Sequence, residues 1–449
     1  MGVGVNERRA WYFYDWANSA YFTTVTAVLF APYLTSVAET AACGEPGTTD
    51  DPCKAALVIA GVSVSPGSLV FYIITFSTLL SAVLVPLVGA IADGSPSKRR
   101  MMCVYGWVGS ASTAAMVFIA GANWQLGAVL LVISSVSGAA SLSIYHSLLI
   151  DIAGPDERDD VSARGWAFGY LGGGTLLALN LVLVTAHDAI GIDTATAVRI
   201  SLLSAGIWWA AFTIIPFRGL KDRPPGLPDD GRRDLLWRSF GRLFATLREA
   251  RAYPRTLMFL VAFLFFNDGV QTVIASASVY GEKQLGFDTS FLIGAILMVQ
   301  FVAFGGALLF GRVAARIGAK PTIVGGLVGW MVVVTVGYFL PAGAAGLFLV
   351  LAFAIGVVLG GTQALARSLF SQLIPKGREA EYFSLYQACE RGTSWLGTLL
   401  FGVMHQLTDS YRPAILALIV FFVIGLALLV PLNVRRGIRE AGNLEPKVV

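Results

Sequence analysis

Twelve stretches of mostly apolar residues, separated by short polar connections, run the length of the chain. They lie at approximately 11–38, 68–92, 101–121, 126–150, 163–186, 196–217, 256–280, 289–313, 321–340, 345–371, 382–405 and 411–432. Each is long enough, or nearly so, to supply the ~20 residues that cross ~30 Å of hydrocarbon as a helix. The pattern predicts twelve membrane-spanning helices, with ends good to ~2–4 residues. The polar stretch 218–255 divides them six and six. The expected fold is therefore all-α and integral to the membrane, with an N-terminal bundle at 1–217, a linker at 218–255 and a C-terminal bundle at 256–449.

The polar positions repeat as well. At the end of the second stretch stands Gly89-Ala-Ile-Ala-Asp93, followed by Lys98, Arg99 and Arg100. At the end of the eighth, 222 residues on, stands Gly311-Arg-Val-Ala-Ala315-Arg316-Ile-Gly318-Ala-Lys320. A repeat of half the chain length in an apolar protein indicates two homologous bundles, the build of many secondary transporters, with the solute site between the halves. Glycine at these points allows close helix contact. Asp93 can pair with a base or cap a neighbouring helix in one conformation and release it in another. The signature resembles the loop motif of the major facilitator superfamily. Ala315 stands where the second copy would carry its acid, so the latch is expected to be stronger in the N-terminal half.

Composition narrows the class further. Charged residues make up only 13% of the chain and the mean hydropathy is +0.70; soluble domains hold about a quarter charged residues. The net charge of +4 does not point to nucleic acid, because the basic residues lie between apolar stretches, where they orient the chain in a bilayer. With both termini inside, 27 of the 32 Lys and Arg fall on the cytoplasmic side. Lys54, Arg199, Lys283 and Arg412 fall outside, and Arg391 lies within a span. The expected location is the cell (plasma) membrane. No cleavable signal is read, because the first apolar run is too long for one and carries Asp15 and Asn18. Ala38 to Cys43 is read as part of an external loop over 39–66. Cys43 and Cys53 lie in that loop and could form a disulfide in an oxidising compartment; spacing alone does not decide it. Within the linker, Asp234 to Arg251 reads as an amphipathic helix for the headgroup boundary, with Leu235, Phe240, Leu243 and Leu247 on one face and Arg238, Arg242 and Arg248 on the other.

Several polar residues fall inside the spans. Asp268 in the seventh lies ~18 Å deep at 1.5 Å per residue, beside Asn267 and Gln271. An acid there costs ~2.5–3.5 kcal/mol on insertion scales unless paired, hydrated or protonated. Those three, with Asn18 and Gln363, form the expected solute or coupling-ion site. Asp15, in the first span, is a gate or a cap. Asp15, Asp151, Arg164, Arg367, Glu390 and Arg391 lie near the cytoplasmic ends of five spans and are expected to form an ion network that closes that side. The alternative is that Arg367 or Arg391 holds a solute carboxylate, for which the guanidinium is suited. His146 alone is weak evidence for proton coupling.

Five segments carry a more specific resemblance: YDWANSAY (14–21), GWAFGYLGGG (165–174), GGTQALARS (360–368), GREAEYFSLYQ (377–387) and ERGTSWLG (390–397). Together they resemble the vacuole effluxer (autophagy-related) family of the major facilitator superfamily, over residues 11 to about 432. The resemblance implies a twelve-helix transporter and, as in the fungal members, amino-acid export. The chain departs from the family pattern at His146, where Asn is expected, and at Ala315.

The resulting expectation is a secondary transporter of a small solute, working by alternating access, with a proton or another ion as coupling partner. Alternatives are transport of a sugar, drug or other metabolite, or a non-transporting receptor or scaffold on the same fold. No Walker A sequence, zinc-type His-Glu-x-x-His or nucleophile elbow occurs, so neither ATP drive nor enzymatic activity is expected. The expected partners are the solute and the lipid bilayer, without cofactor, metal or nucleic acid, and the expected state is a monomer.

Overall fold

The computed structural model describes residues 5–46, 53–59, 61–224, 252–392, 394–408 and 410–449. Its helices in chain order are α1 (Asn6–Cys43), α2 (Pro66–Asp93), α3 (Lys98–Phe118), α4 (Trp124–Ile152), α5 (Arg158–Thr185), α6 (Thr194–Gly219), α7 (Pro254–Val279), α8 (Thr289–Ile317), α9 (Ala319–Phe339), α10 (Ala345–Gln372), α11 (Glu379–Gly392), α12 (Ser394–Thr408), α13 (Tyr411–Leu429) and α14 (Val434–Glu440). Eleven of them, all except α11, α12 and α14, are long and apolar enough to cross a membrane singly. Helices α11 and α12 flank residue 393 and together fill the expected stretch at 382–405. The twelve spans form two six-helix repeats.

Two expectations for the external region change. Residues 38–43 continue α1 as helix and are not loop; the helix stops where Gly44 takes φ 89°, a left-handed conformation that glycine adopts at little cost. The following segment forms a short antiparallel hairpin, β1 (Leu57–Ile59) with β2 (Val62–Val64). Cys43 and Cys53 are joined by a disulfide, which ties the end of α1 to the approach to β1. The amphipathic stretch expected at 234–251 lies outside the described residues.

Each half has its own core. In the N-terminal half Trp11, Tyr21 and Trp209 are fully buried, and in the C-terminal half Phe259, Phe263, Trp330 and Phe370. Phe71, Phe76 and Leu79 of α2 point outward, as suits a surface that hydrocarbon covers. In the middle of α1, residues Tyr21–Leu29 widen into a π-helical segment; such bulges recur at functional sites, and this one borders the cavity described below.

The two signature glycines occupy matching places. A Cβ on Gly89 would lie 2.6 Å from the Ala380 carbonyl oxygen at the start of α11. One on Gly311 would lie 2.6 Å from Cβ of Ala163 in the first turns of α5. The second span thus crosses the start of the eleventh, and the eighth the start of the fifth. In both cases the two halves touch.

Candidate functional site

Between the halves lies a cavity of about 620 Å³, within the range of small-molecule sites. One end is polar, with Asp15, Asn18, His146, Gln363, Gln387 and Glu390; the walls beyond are mainly apolar. The cavity reaches Val70, Tyr280, Gly337, Phe348 and Ile415, all near one face of the bundle. The other face carries residues 6–9, the two signature loops and α14, and is called here the basic face.

Below the polar end, the halves are bonded together. Arg367 of α10 is completely buried and donates to Oδ2 of Asp15 at 3.1 Å, to Ser162 Oγ at 2.9 Å and to the Ser162 carbonyl at 2.8 Å. Tyr145 donates to the same Asp15 oxygen at 2.7 Å. The guanidinium carbon lies 4.8, 5.6 and 5.4 Å from the ring centres of Trp11, Tyr145 and Trp166. This is a desolvated ion pair inside an aromatic box, and its members come from both halves. Asp15 borders the cavity and Arg367 does not.

Nearer the basic face, opposite charges grip the two helix ends that flank residues 373–378. Asp93 accepts the N–H groups of Ala380 and Glu381, at 3.0 and 2.9 Å, in the first turn of α11. Lys98 donates to Asp93 at 2.7 Å. At the end of α10, Arg158 Nη1 donates to the Ser371 carbonyl at 3.0 Å. An acid at a helix N-terminus and a base at a C-terminus each complement the helix dipole, typically by ~0.3–1 kcal/mol. Ser368 bonds Asp159, and Ser143 and Ser162 donate to the carbonyls of Ala380 and Ala364 at 3.0 and 2.6 Å. These bonds between the halves lie on the basic-face side of the cavity. The basic face is closed.

The expected sites divide accordingly. Asn18, Gln271 and Gln363 border the cavity, whereas Asn267 and Asp268 do not. Asn267 accepts from Gln363 at 2.9 Å and donates to the Glu390 carbonyl at 2.9 Å, so it buttresses the wall. Asp268 faces α12, where its Oδ2 accepts the N–H of Gly397 at 2.8 Å. Of the expected ion network, Asp15 and Arg367 pair with each other. Arg164 is turned away and pairs with Asp160 on its own helix at 2.9 Å, both half-exposed. Asp151 makes no ion pair within 4.0 Å among the described residues. Glu390 lies on the cavity wall, accepting from Gln387 at 2.8 Å, and Gln387 also reaches His146 Nδ1 at 3.2 Å. The Arg391 side chain lies outside what the structure describes. In the signature loops, Arg99 binds the carbonyls of Phe217 and Leu220 at the end of the sixth span, at 2.9 and 3.2 Å. Lys320 does the same for Val430 and Leu432 beyond the twelfth, both at 2.8 Å. Arg100 and Arg316 have no ion pair among the described residues.

Sequence reasoning missed Arg158, Asp159, Ser162 and Gln387. Trp11, Tyr145 and Trp166 were visible only as aromatic residues in spans. Nothing local marks them, because their partners are some 130 to 350 positions away.

Twelve helices in two matched sets of six, around one central cavity closed on a single face, define a membrane transporter of the major facilitator type. Solved structures share the fold: the proton:xylose symporter XylE has a TM-score of 0.69 at 10% identity, covering 94% of both chains. FucP in the outward conformation has a TM-score of 0.65 at 12% identity, covering 94% of this chain and 97% of that one. The family described as "Vacuole effluxer Atg22 like" matches residues 4–158 and 151–442, and the chain belongs to it. Relatives include the MFS-type transporter YxiO of Bacillus subtilis, 30% identical over 94% of each chain. Autophagy-related protein 22 of Pyricularia oryzae is 26% identical over 98% of this chain and 78% of its own.

Proposed function

We propose that the chain is a secondary transporter that exports an amino acid by alternating access. Its units are the bundles 1–217 and 256–449, and the basic face lies in the cytoplasm. The observation that carries this reading is the cavity between the halves, polar at its deep end and sealed beneath by the Asp15–Arg367 pair. An ammonium group would meet Glu390. A carboxylate would meet the amides of Asn18, Gln271 and Gln363 and the ring of His146, since Arg367 is engaged by Asp15 and Ser162. The described lining holds no Lys or Arg. Orientation follows the distribution of basic residues, and the disulfide at the far side suits an oxidising exterior. The cell membrane is the proposed location.

Counterflow of labelled amino acids into proteoliposomes tests the reading. The parent protein should exchange label at a rate that Glu390→Gln lowers at least tenfold. No counterflow of any amino acid would refute the proposed solute. The mainly apolar walls favour a second reading, a lipophilic amine. Competition by such amines, with no competition by amino acids, would establish it in place of the first.

A further inference from the structure

Asp268 stands outside the cavity and the closed face, and neither uses it. It is completely buried in the middle of α7, with Oδ2 on the Gly397 N–H and Oδ1 without a partner among the described residues. Thr272, one turn further on the same face of α7, also has its buried Oγ1 unpartnered. Both oxygens converge on α12: a Cβ on Gly397 would lie only 2.1 Å from Thr272 Oγ1. Two buried polar oxygens thus share a contact between two spans.

Among the described residues no positive charge reaches this contact; the Arg391 side chain, at the end of α11, lies outside them. The part of α13 packed on α7 is entirely apolar, with Phe421 and Phe422 against Gly269. Helix α12 has one titratable residue, His405, ~12 Å along its axis from Gly397. On α11, Cys389 and Glu390 make no hydrogen bond or ion pair with Asp268; on α10, Arg367 is engaged by Asp15 and Ser162. On α9, Lys320 binds the carbonyls at the end of the twelfth span. A lone carboxylate at hydrocarbon depth is costly, and gaining a proton removes the charge and the cost together.

From this geometry we infer that Asp268 is a proton-binding site, separate from the solute cavity, set in the contact between α7 and α12. Oδ1 takes a proton from water, and the side chain passes from one negative charge to none. Thr272 Oγ1 is the nearby acceptor for the new O–H. Loss of the charge weakens the Gly397 N–H bond to Oδ2, since hydrogen bonds to an ionised acceptor are about twice as strong as neutral ones. The position of α12 against α7 therefore responds to pH. Helix α12 is continuous in span with α11, which carries Gln387 and Glu390 on the cavity wall and is capped by Asp93. The proton site thus touches the element that joins the cavity to the closed face.

Infrared difference spectra of the full chain in lipid, between acidic and alkaline buffer, test this. The parent should show the carbonyl band of a solvent-shielded protonated carboxyl, lost in Asp268→Asn and kept in Glu390→Gln. A parent without such a band, or a band that survives in Asp268→Asn, overturns the inference and leaves Asp268 as a charged helix cap. Should Asp268→Asn not fold, Asp268→Glu must retain a band at shifted frequency, and its absence there overturns the inference equally. Sodium added at constant pH should leave the band unchanged; loss of the band on addition would make this a metal-cation site and refute the proton assignment. The band does not depend on solute, so a protein that shows it without amino-acid counterflow refutes the proposed function alone.

Discussion

Replacing Asp15 by Asn removes the carboxylate paired with Arg367 and leaves the guanidinium in its aromatic box. The three rings and the two Ser162 contacts remain, so the arginine stays charged and buried whenever the basic face is closed. Stranding a buried partner in this way costs ~3–5 kcal/mol. In the opened form water reaches the guanidinium and the cost falls away. The penalty therefore acts on the closed form, and at ~1.4 kcal/mol per power of ten it raises the opened-to-closed ratio by about 10²- to 4 × 10³-fold. That is most of the ~5.5 kcal/mol that carries a two-state equilibrium from 1:99 to 99:1. Arg367→Met should have a smaller effect, because Asp15 borders the cavity and can be hydrated or protonated where it stands. In the double variant Asp15→Asn/Arg367→Met neither charge remains, and an apolar side chain fills the box. Replacing a whole buried pair by apolar groups is often neutral or stabilising, so closure should return nearly to the parent level. The assay is labelling of Ser371→Cys by a charged maleimide from the basic face, in a background lacking Cys103 and Cys389. Ser371 is completely buried and its hydroxyl bonds only its own helix, so reaction requires opening. Asp15→Asn labelled at the parent rate, or a double variant as open as Asp15→Asn alone, would refute the gate.

Gly89→Val places a branched side chain where even a Cβ lies 2.6 Å from the Ala380 carbonyl. It should open the basic face in the same labelling assay without lowering membrane insertion. Arg158→Met removes the donor to the Ser371 carbonyl and should lower the unfolding midpoint by the equivalent of ~1–3 kcal/mol, the cost of a buried acceptor left unsatisfied. Reduction of Cys43–Cys53, whose sequence separation is 10, should destabilise by ~2–3 kcal/mol on the chain-entropy model; a Cys43→Ala/Cys53→Ala variant should then be insensitive to reductant. Glu157 is held below the ordinary glutamate value by its hydrogen bond from Arg8. Because its folded value is depressed, its contribution is present above the unfolded pKa of ~4.3 and is lost as pH falls through the folded one. The pair is partly exposed and worth at most ~1 kcal/mol, so thermal melts of Glu157→Gln should differ from the parent above that range and converge with it in acid.

The fold was legible because the bilayer imposes it: twelve apolar runs and a charged signature repeated at half the chain length leave few alternatives. The polar end of the cavity was half legible. Asn18, Gln271 and Gln363 were found because polar residues in spans are expensive and so conspicuous. Which way they face was not legible, because Gln271, which faces the cavity, stands only three residues along α7 from Asp268, which faces α12, and in fully buried spans no periodicity distinguishes the two sides. The same limit turned Arg164 outward and put Glu390 on the cavity wall. Depth along a helix can be counted from a sequence. Azimuth around it cannot, when all sides are apolar.

The unequal signatures show how the halves can differ and still close one face. In the first copy Asp93 caps α11 and holds Lys98. In the second, Ala315 offers α5 no such group, yet Gly311 still presses on Ala163. Residues 443–449 run from the end of α10 to this second loop: Asn443 donates to the Gln372 and Ile374 carbonyls at 2.9 and 2.7 Å, and a Cβ on Gly318 would meet Val449 at 2.6 Å. Between them the Lys447 N–H donates to Asp156, in the other half, at 2.6 Å. A backbone segment that bridges the halves thus stands where the first copy uses a carboxylate. Asp156 lies two residues before α5, the helix that the missing acid would have capped. The two latches should therefore respond differently to salt. A buried charge-to-helix contact such as Asp93 is poorly screened, whereas a single exposed bond to Asp156 is screened within a Debye length of ~8–10 Å. Raising ionic strength should loosen the second contact first.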